Sequence, residues 1–217
     1  INTRTTSRQA RNKGLKIIFF SSNFLPLNVN NYSHYIRNKK RYYSCLIMCG
    51  IVGFISFKQE EDLIKNLTNS LSHRGPDESN YSIVKIDNYF VHLGSTRLSI
   101  VGNKDGKMPM KDDENNQIIY NGELYNLEKL SNLLNERLNT TSDTKYLFEF
   151  LKKFSYEKLN ELNGMFAFGF LNANNKSVIL GRDKLGIKPL YYLKNEKYPL
   201  IFSSEIKPLL KNNFSKK

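Results

Sequence analysis

Cys49 is the residue whose type and position best suit nucleophilic chemistry, because it directly follows Met48. If the chain before Cys49 is removed, its thiol lies beside a free α-amine. The ordinary pKa of such an amine is about 7.7–8.0, so it can accept a proton near neutral pH. One residue could then supply both a nucleophile and its base. Alternatively, Cys49 begins an apolar segment and packs as a small hydrophobe.

Asn121 and Gly122 follow a short predicted strand, and their residue types suit the stabilisation of an oxyanion. A side-chain amide and a backbone N–H are suitable donors, and glycine lets a substrate approach the backbone closely. The same Asn-Gly pair is also a common turn at the end of a strand. Both interpretations fit the sequence at this point.

Three charged residues could bind the charged groups of an amino acid. Arg97 lies among apolar residues and therefore needs an anionic partner, either a substrate carboxylate or a structural ion pair. Glu123 and Asp143 could bind an ammonium group, or could be a solvated acid and a residue of a helix start. With Cys49 and the two oxyanion donors, this set matches a ligand such as glutamine, whose side-chain amide would be hydrolysed.

The elements that must position these residues can be predicted from hydrophobic spacing. Helical spacing predicts helices at 60–71, 127–138, 144–154 and 205–210, with Ser142 or Asp143 capping the third. Strands are predicted at 49–57, 82–86, 89–94, 117–120, 165–171, 177–180, 190–193 and 200–203, with a hairpin turn at Asp87-Asn88. Strands cluster at both ends with helices between them, which predicts an α+β protein with mainly antiparallel sheets.

Residues 1–48 differ in composition from the rest of the chain. They contain nine Lys or Arg residues and no acid, whereas the remaining 169 residues contain 24 basic and 20 acidic side chains. The near balance after Met48 does not require a nucleic-acid-binding face. We interpret 1–48 as a disordered leader outside the mature domain, either a transit peptide or translation from upstream of a start at Met48. The predicted domain is 49–217, located in the cytoplasm unless the leader directs import into an organelle.

The cysteine and histidine content limits the other possibilities. Two cysteines, Cys45 and Cys49, do not form a disulfide framework and favour a reducing compartment. The three histidines (His34, His73 and His92) lie too far away in sequence to favour a metal site. No apolar run reaches the roughly 18 residues that a membrane span needs. We therefore expect no metal, no nucleic-acid partner and no membrane association.

Beyond these individual residues, the chain resembles the glutaminase domain of glutamine-hydrolysing asparagine synthetases, which is a class-II amidotransferase domain. Eight motifs occur in the same order: MCGIVGF (48–54), HRGPD (73–77), RLSIV (97–101), NGELYN (121–126), SDT (142–144), GMFAFGF (164–170), RDKLGIKPLYY (182–192) and SSEIKPLL (203–210). Amidophosphoribosyltransferases and glucosamine-6-phosphate synthases also begin with a Cys-Gly-Ile-Val strand. Their sequences differ at the next three motifs, so they rank lower.

The resemblance implies a four-layer αββα sandwich of two antiparallel sheets, the N-terminal nucleophile hydrolase fold. It implies that L-glutamine is hydrolysed to L-glutamate and ammonia through a thioester on Cys49, with Asn121 and Gly122 forming the oxyanion hole. The implied glutamine-binding residues are Arg97, Leu98, Ser99, Ile100, Val101, Asn121, Gly122, Glu123 and Asp143. The ammonia would serve the ATP-dependent conversion of aspartate to asparagine.

The resemblance also sets expectations for cofactors and partners. The glutaminase step should need no cofactor, whereas ATP and Mg²⁺ belong to a synthetase domain whose pyrophosphate loop does not occur in this sequence. The expected partner is a synthetase domain or subunit, and a homodimer is possible. A non-catalytic module with the leader retained is the alternative. Three residues depart from the family pattern: Lys145 replaces Glu, Met108 replaces Gln and Ser95 replaces His.

Overall fold

Two five-stranded sheets are stacked face to face in the computed structural model, which describes residues 14–20, 49–97, 107–211 and 214. The strands are β1 (Lys16–Phe20), β2 (Gly50–Ser56), β3 (Glu78–Ile86), β4 (Tyr89–Arg97), β5 (Met110–Lys111), β6 (Gln117–Leu124), β7 (Gly164–Asn172), β8 (Ser177–Arg182), β9 (Tyr191–Leu193) and β10 (Leu200–Ser203). The helices are α1 (Glu61–Asn69), α2 (Leu127–Leu134), α3 (Asp143–Phe154) and α4 (Ile206–Lys211), with a 3-10 turn at Leu159–Glu161.

The order of strands is β1-β8-β7-β6-β5 in one sheet, here called sheet A, and β3-β4-β2-β10-β9 in the other, called sheet B. One apolar core lies between the sheets and includes Ile51 and Ile119. A second core lies between sheet A and helices α2 and α3, and a third lies between sheet B and helices α1 and α4. The expected αββα sandwich is therefore confirmed, with one parallel pair, β1 and β8, among otherwise antiparallel neighbours.

Local sequence explains where the helices begin and end. The Ser142 hydroxyl oxygen accepts a hydrogen bond from the Lys145 N–H at 3.4 Å, so Ser142, not Asp143, is the N-cap of α3. Helix α2 ends at Leu134, four residues earlier than predicted, because Asn135 has a left-handed backbone (φ 58°) that ends the helix. The predicted hairpin is confirmed as β3 and β4, and Asp87 in its turn also has positive φ.

Strand β6 is longer than the sequence predicted, and the difference changes the interpretation of Asn121-Gly122. The strand was predicted to stop at position 120, but Asn121 pairs with Ala167 and Leu124 pairs with Gly164 of β7. The turn interpretation of the Asn-Gly pair is therefore wrong. The partner strand continues past this position, so the ladder of β6 and β7 continues with it.

Strand β1 comes from the segment that was expected to be disordered. Residues 14–20 are described, and five of them form the edge strand of sheet A. The expectation of disorder is wrong for these residues because Leu15 and Ile17 are buried in the core between the sheets.

No helix in the described ranges is long and apolar enough to cross a membrane.

Candidate active site

Cys49 lies directly before β2, the central strand of sheet B, with a partly buried free thiol packed against the core beneath α2 and α3. Side chains from three separate elements hold the backbone at this point. The bonds are Arg74 Nε to the Cys49 carbonyl oxygen (3.4 Å), the Gly50 N–H to Thr96 Oγ1 (3.2 Å) and the Ile51 N–H to Ser204 Oγ (3.0 Å). The position of Cys49 is therefore fixed by contacts that are distant in sequence.

Arg74 connects this backbone to Glu205, the residue directly before α4. Arg74 is only 5% exposed, and its Nη1 donates a hydrogen bond to Glu205 Oε1 at 3.0 Å. His73 Nε2 lies 2.9 Å from the same oxygen. The second terminal nitrogen of Arg74, Nη2, is buried and has no hydrogen-bond partner among the described residues. The Arg74 guanidinium, paired with Glu205, therefore lies beside the Cys49 carbonyl group.

The HRGPD turn brings Arg97 to the same region. The Asp77 N–H donates to the Arg97 carbonyl oxygen at 3.1 Å, and a Cβ on Gly75 would lie 2.5 Å from the Arg97 backbone nitrogen. Only glycine permits this close approach. The Arg97 guanidinium is largely buried, and its Nη1 lies 3.9 Å from Glu78 Oε1. The interpretation of Arg97 as part of a structural ion pair is thus confirmed, although the two charged atoms are far apart for such a pair. Binding of a substrate carboxylate by Arg97 stays a prediction.

Asn121 is 2% exposed, and its amide nitrogen is buried without a hydrogen-bond acceptor in the part of the chain that the structure describes. A buried donor left in this state costs free energy, so it is a sign that a ligand completes the site. The neighbouring Gly122 has no space for a side chain, because a Cβ would overlap the Met165 carbonyl oxygen of β7. The Asn121 amide therefore suits the predicted oxyanion hole, whereas close packing against β7 accounts for the glycine at position 122.

Tyr120 is the residue of this region that the sequence analysis missed. Its hydroxyl donates to Asp143 Oδ2 at 2.8 Å, and the Leu124 N–H donates to the same oxygen at 3.2 Å. Burial raises the pKa of the Tyr120 phenol well above its ordinary value, and negative charge on Asp143, Glu123 and Cys49 raises it further. The phenol therefore remains protonated and orients the Asp143 carboxylate. Its position directly before Asn121 is the one signal in the sequence that could have indicated it.

The Tyr120 hydroxyl thus binds the Asp143 carboxylate, and Cys49 packs against the apolar core that contains Tyr120. Asn121 and Glu123 follow Tyr120 on the same strand. Arg97 joins through the HRGPD turn. The predicted binding residues Leu98, Ser99, Ile100 and Val101 lie outside the described residues. Across the described ranges, no group of three or more His, Cys, Asp or Glu side chains could hold a metal ion.

Two of the three departures from the family pattern have structural explanations, and nothing in the structure explains Ser95 in place of His. Lys145 Nζ pairs with Glu149 at 2.7 Å on the surface of α3, so it has an acidic partner other than Asp143. Met108 is buried, and its sulfur accepts the Tyr120 N–H at 3.2 Å, a bond that a Gln oxygen could also accept. Ser95 is buried within β4, where it pairs with Ile51 of β2.

Two stacked sheets between helical layers, with a cysteine directly before a central strand, define a domain with the αββα sandwich fold. The chain belongs to the glutamine amidotransferase domain family, whose model matches residues 48–217.

Individual relatives carry more specific names. Asparagine synthetase 3 (glutamine-hydrolyzing) of Bacillus subtilis is 38% identical over 173 residues, covering 75% of this chain and 27% of that protein. Asparagine synthetase 2 (glutamine-hydrolyzing) of Oryza sativa subsp. japonica is 36% identical over 169 residues, covering 75% and 28%. The chain therefore spans just over a quarter of the length of these two relatives.

A solved structure supports the fold. Glutamine phosphoribosylpyrophosphate amidotransferase from B. subtilis, complexed with ADP and GMP, superposes with a TM-score of 0.58. The two sequences are 19% identical, and the match covers 74% of this chain and 43% of that chain. At this identity the similarity concerns the fold alone.

Proposed function

We propose that this domain hydrolyses the side-chain amide of L-glutamine to give L-glutamate and ammonia, with Cys49 as the nucleophile. The observation that carries the proposal is the buried amide nitrogen of Asn121, which has no hydrogen-bond acceptor among the residues that the structure describes. Asn121 directly follows Tyr120 on β6, and Cys49 packs against the apolar core that contains Tyr120. An acyl-transfer site requires a nucleophile and a hydrogen-bond donor for the oxyanion, and the proposal assigns these roles to Cys49 and Asn121.

The proposed reaction needs a free amine on Cys49. The amine accepts the thiol proton as the sulfur bonds to the amide carbon, and the resulting oxyanion accepts hydrogen bonds from the Asn121 amide and the Gly122 N–H. The carbon–nitrogen bond then breaks, and the leaving nitrogen takes the proton and departs as ammonia. Water attacks the thioester, which releases glutamate and returns the thiol. A peptide bond before Cys49 would remove the base.

Charged residues would orient the substrate. Arg97 would bind the α-carboxylate, and Glu123 and Asp143 would bind the α-ammonium. The Asp143 carboxylate already accepts hydrogen bonds from Tyr120, Leu124 and Thr144, which fix its direction. Ionised carboxylate oxygens have about four lone-pair positions in total, so one remains for a ligand.

The relatives' names suggest the use of the ammonia. We infer that it passes to a synthetase domain or subunit that converts aspartate to asparagine with ATP and Mg²⁺. The glutaminase step itself would need no cofactor, because the thiol, its amine and the two donors supply every proton transfer and charge contact in the scheme. This inference rests on two relatives that are much longer than this chain.

The test is a full-chain variant with a site-specific protease sequence inserted between Met48 and Cys49, so that cleavage exposes the Cys49 amine. We expect glutamate release from glutamine after cleavage, and much slower release from the uncleaved chain, which is the matched control. Cys49→Ala in the same variant should release none. Equal glutamate release before and after cleavage, or activity in Cys49→Ala, would refute the mechanism.

A non-catalytic module with residues 1–48 retained is the second candidate. The observation in its favour is that residues 14–20 pack into the domain. Intact-mass measurement of the protein from its native source decides between the two. A chain that begins at Cys49, or a separate fragment ending at Met48, supports the enzyme, whereas an uncleaved and inactive chain supports the module.

A further inference from the structure

Residues 14–20 have the pattern of a strand that is covered on both faces. Leu15, Ile17 and Phe19 alternate with Ile18 and Phe20, so apolar side chains occur on both sides of the strand. Leu15 and Ile17 are 4% and 5% exposed. Lys16, which lies between them, is exposed. A segment that only passed over the surface would not bury Leu15 and Ile17.

The segment is held by the backbone of β8. The two strands run parallel with five residue pairs, from Lys16 with Ser177 to Phe20 with Gly181. The Lys16 N–H also donates to the Lys176 carbonyl oxygen at 2.8 Å, which extends the contact beyond the ladder. Without β1, strand β8 would be the edge of sheet A and its outer backbone groups would be unpaired.

Side chains of β1 join two of the three cores. Ile17 belongs to the core between the sheets, whereas Ile18 and Phe20 pack against the core beneath α2 and α3. Phe19 reaches sheet B, where its ring centroid lies 4.7 Å from that of Tyr192. Lys194 Nζ lies 4.6 Å from the same ring. The segment therefore contacts both sheets and the helical layer.

The number of residues between this strand and Cys49 is large enough to connect them whether or not they lie close together. Residues 21–48 are 28 residues, which can span roughly 90 Å when extended. Docking of β1 is thus compatible with an intact chain and with a chain opened before Cys49.

We propose that the edge of β8 is a binding site for residues 14–20 of the same chain, and that it retains this segment as a separate polypeptide when the chain is opened before Cys49. Retention of the segment after the chain is opened rests on the proposed function, because that function requires a free Cys49 amine. Docking of residues 14–20 on β8 does not rest on it. The opened protein is then a two-chain domain in which the leader completes sheet A.

The test uses the full-chain variant with the protease sequence before Cys49. After cleavage under native conditions, the protein is passed over a size-exclusion column, and the peak is analysed by denaturing mass spectrometry. We expect the leader fragment and the Cys49–Lys217 fragment to elute together in equal amounts. Separate elution, with the larger fragment still folded by circular dichroism, would overturn the proposal. Elution at twice the mass with leader segments exchanged would also overturn it, by assigning the site to a second copy.

Two substitutions in the segment provide a matched pair. Ile17→Asp places a charge in the core between the sheets, whereas Lys16→Asp places the same side chain at an exposed position. We expect Ile17→Asp to lose most of the leader fragment after cleavage and Lys16→Asp to retain it. Equal retention in both variants would contradict the proposed docking.

A further measurement covers the case in which Ile17→Asp prevents folding. Isotope-labelled leader fragment is added to the cleaved, unsubstituted protein. We expect the labelled fragment to exchange into the size-exclusion peak of the domain. Absence of any bound fragment, labelled or unlabelled, from that peak would refute the site. Neither experiment uses glutamine, and Cys49→Ala should retain the fragment equally. Failure of the docking is therefore distinguishable from failure of the glutaminase proposal.

Discussion

Replacing Tyr120 by Phe tests whether the phenol orients the Asp143 carboxylate. The substitution removes a 2.8 Å hydrogen bond to an ionised group and leaves the Leu124 N–H as the other donor to that oxygen. Hydrogen bonds to charged groups contribute about 1.5–3 kcal/mol. For a chain of this size, we expect a loss of that magnitude in the free energy of unfolding and a fall in Tm of roughly 3–12 °C.

The effect on catalysis distinguishes orientation from packing. We expect kcat/KM for glutamine in the cleaved Tyr120→Phe protein to fall by about tenfold, mainly through KM, because Asp143 is no longer held toward the ammonium group. Tyr198→Phe is the matched control, since its hydroxyl donates to the Glu60 carboxylate at 2.9 Å on the far side of sheet B. It should lose stability without a change in KM. Equal KM values in both variants would refute the role assigned to Tyr120.

Three further predictions concern the oxyanion donor, a buried histidine and a helix cap. Asn121→Ala should lower kcat by about 10²–10³ with little change in KM, measured as glutamate release from the cleaved protein. His92 is buried and stacked on Phe54, and its pKa is lowered by burial to about 4. Unfolded protein therefore binds an extra proton between pH 6.5 and 4, and the free energy of unfolding should fall over this range by at most about 3 kcal/mol. Ser142→Ala should cost about 0.5–2 kcal/mol in urea unfolding, because the Lys145 N–H loses its cap.

Each of these three predictions has its own control. Asn172→Ala removes another buried amide, at the last residue of β7, and should leave kcat unchanged. A His92→Asn protein should show a shallower loss of stability with acid than the parent, and an identical slope would contradict the assignment. Ser142→Asp retains a capping oxygen and should keep most of the stability. A Ser142→Asp protein as unstable as Ser142→Ala would refute the capping role.

The order of elements in residues 49–217 was largely predictable from sequence. Short apolar runs predicted β2, β4, β7 and β10, and 3.6-residue spacing predicted all four helices, because these patterns reflect which face of each element is buried. Boundaries depended on particular residues. Helix α2 ends early at Asn135, and β6 continues through Asn121 because β7 pairs with it there. Such pairing is a property of two strands and is not visible in either one.

The candidate site was only partly predictable. Residue types alone pointed to Cys49, Arg97 and Asn121, because a nucleophile, a guanidinium and an amide donor each have few alternatives. Their supports were not predicted, since the Arg74–Glu205 pair joins residues 131 positions apart. The role of Tyr120 depends in the same way on α3 bringing Asp143 to the end of β6.

By itself, the sequence determined the chemistry that is available to this protein, since a thiol, a guanidinium and a carboxylate keep their reactivity in any fold. It also determined the alternation of strands and helices, because hydrophobic period is a local property. Only the tertiary structure decided that the Asn121 amide is buried with no acceptor in the described part of the chain, and that residues 14–20 complete a sheet. Both facts arise from contacts between distant parts of the chain. The local sequence does not determine these contacts, because it does not specify which strand edge or which side chains will pack against a given residue.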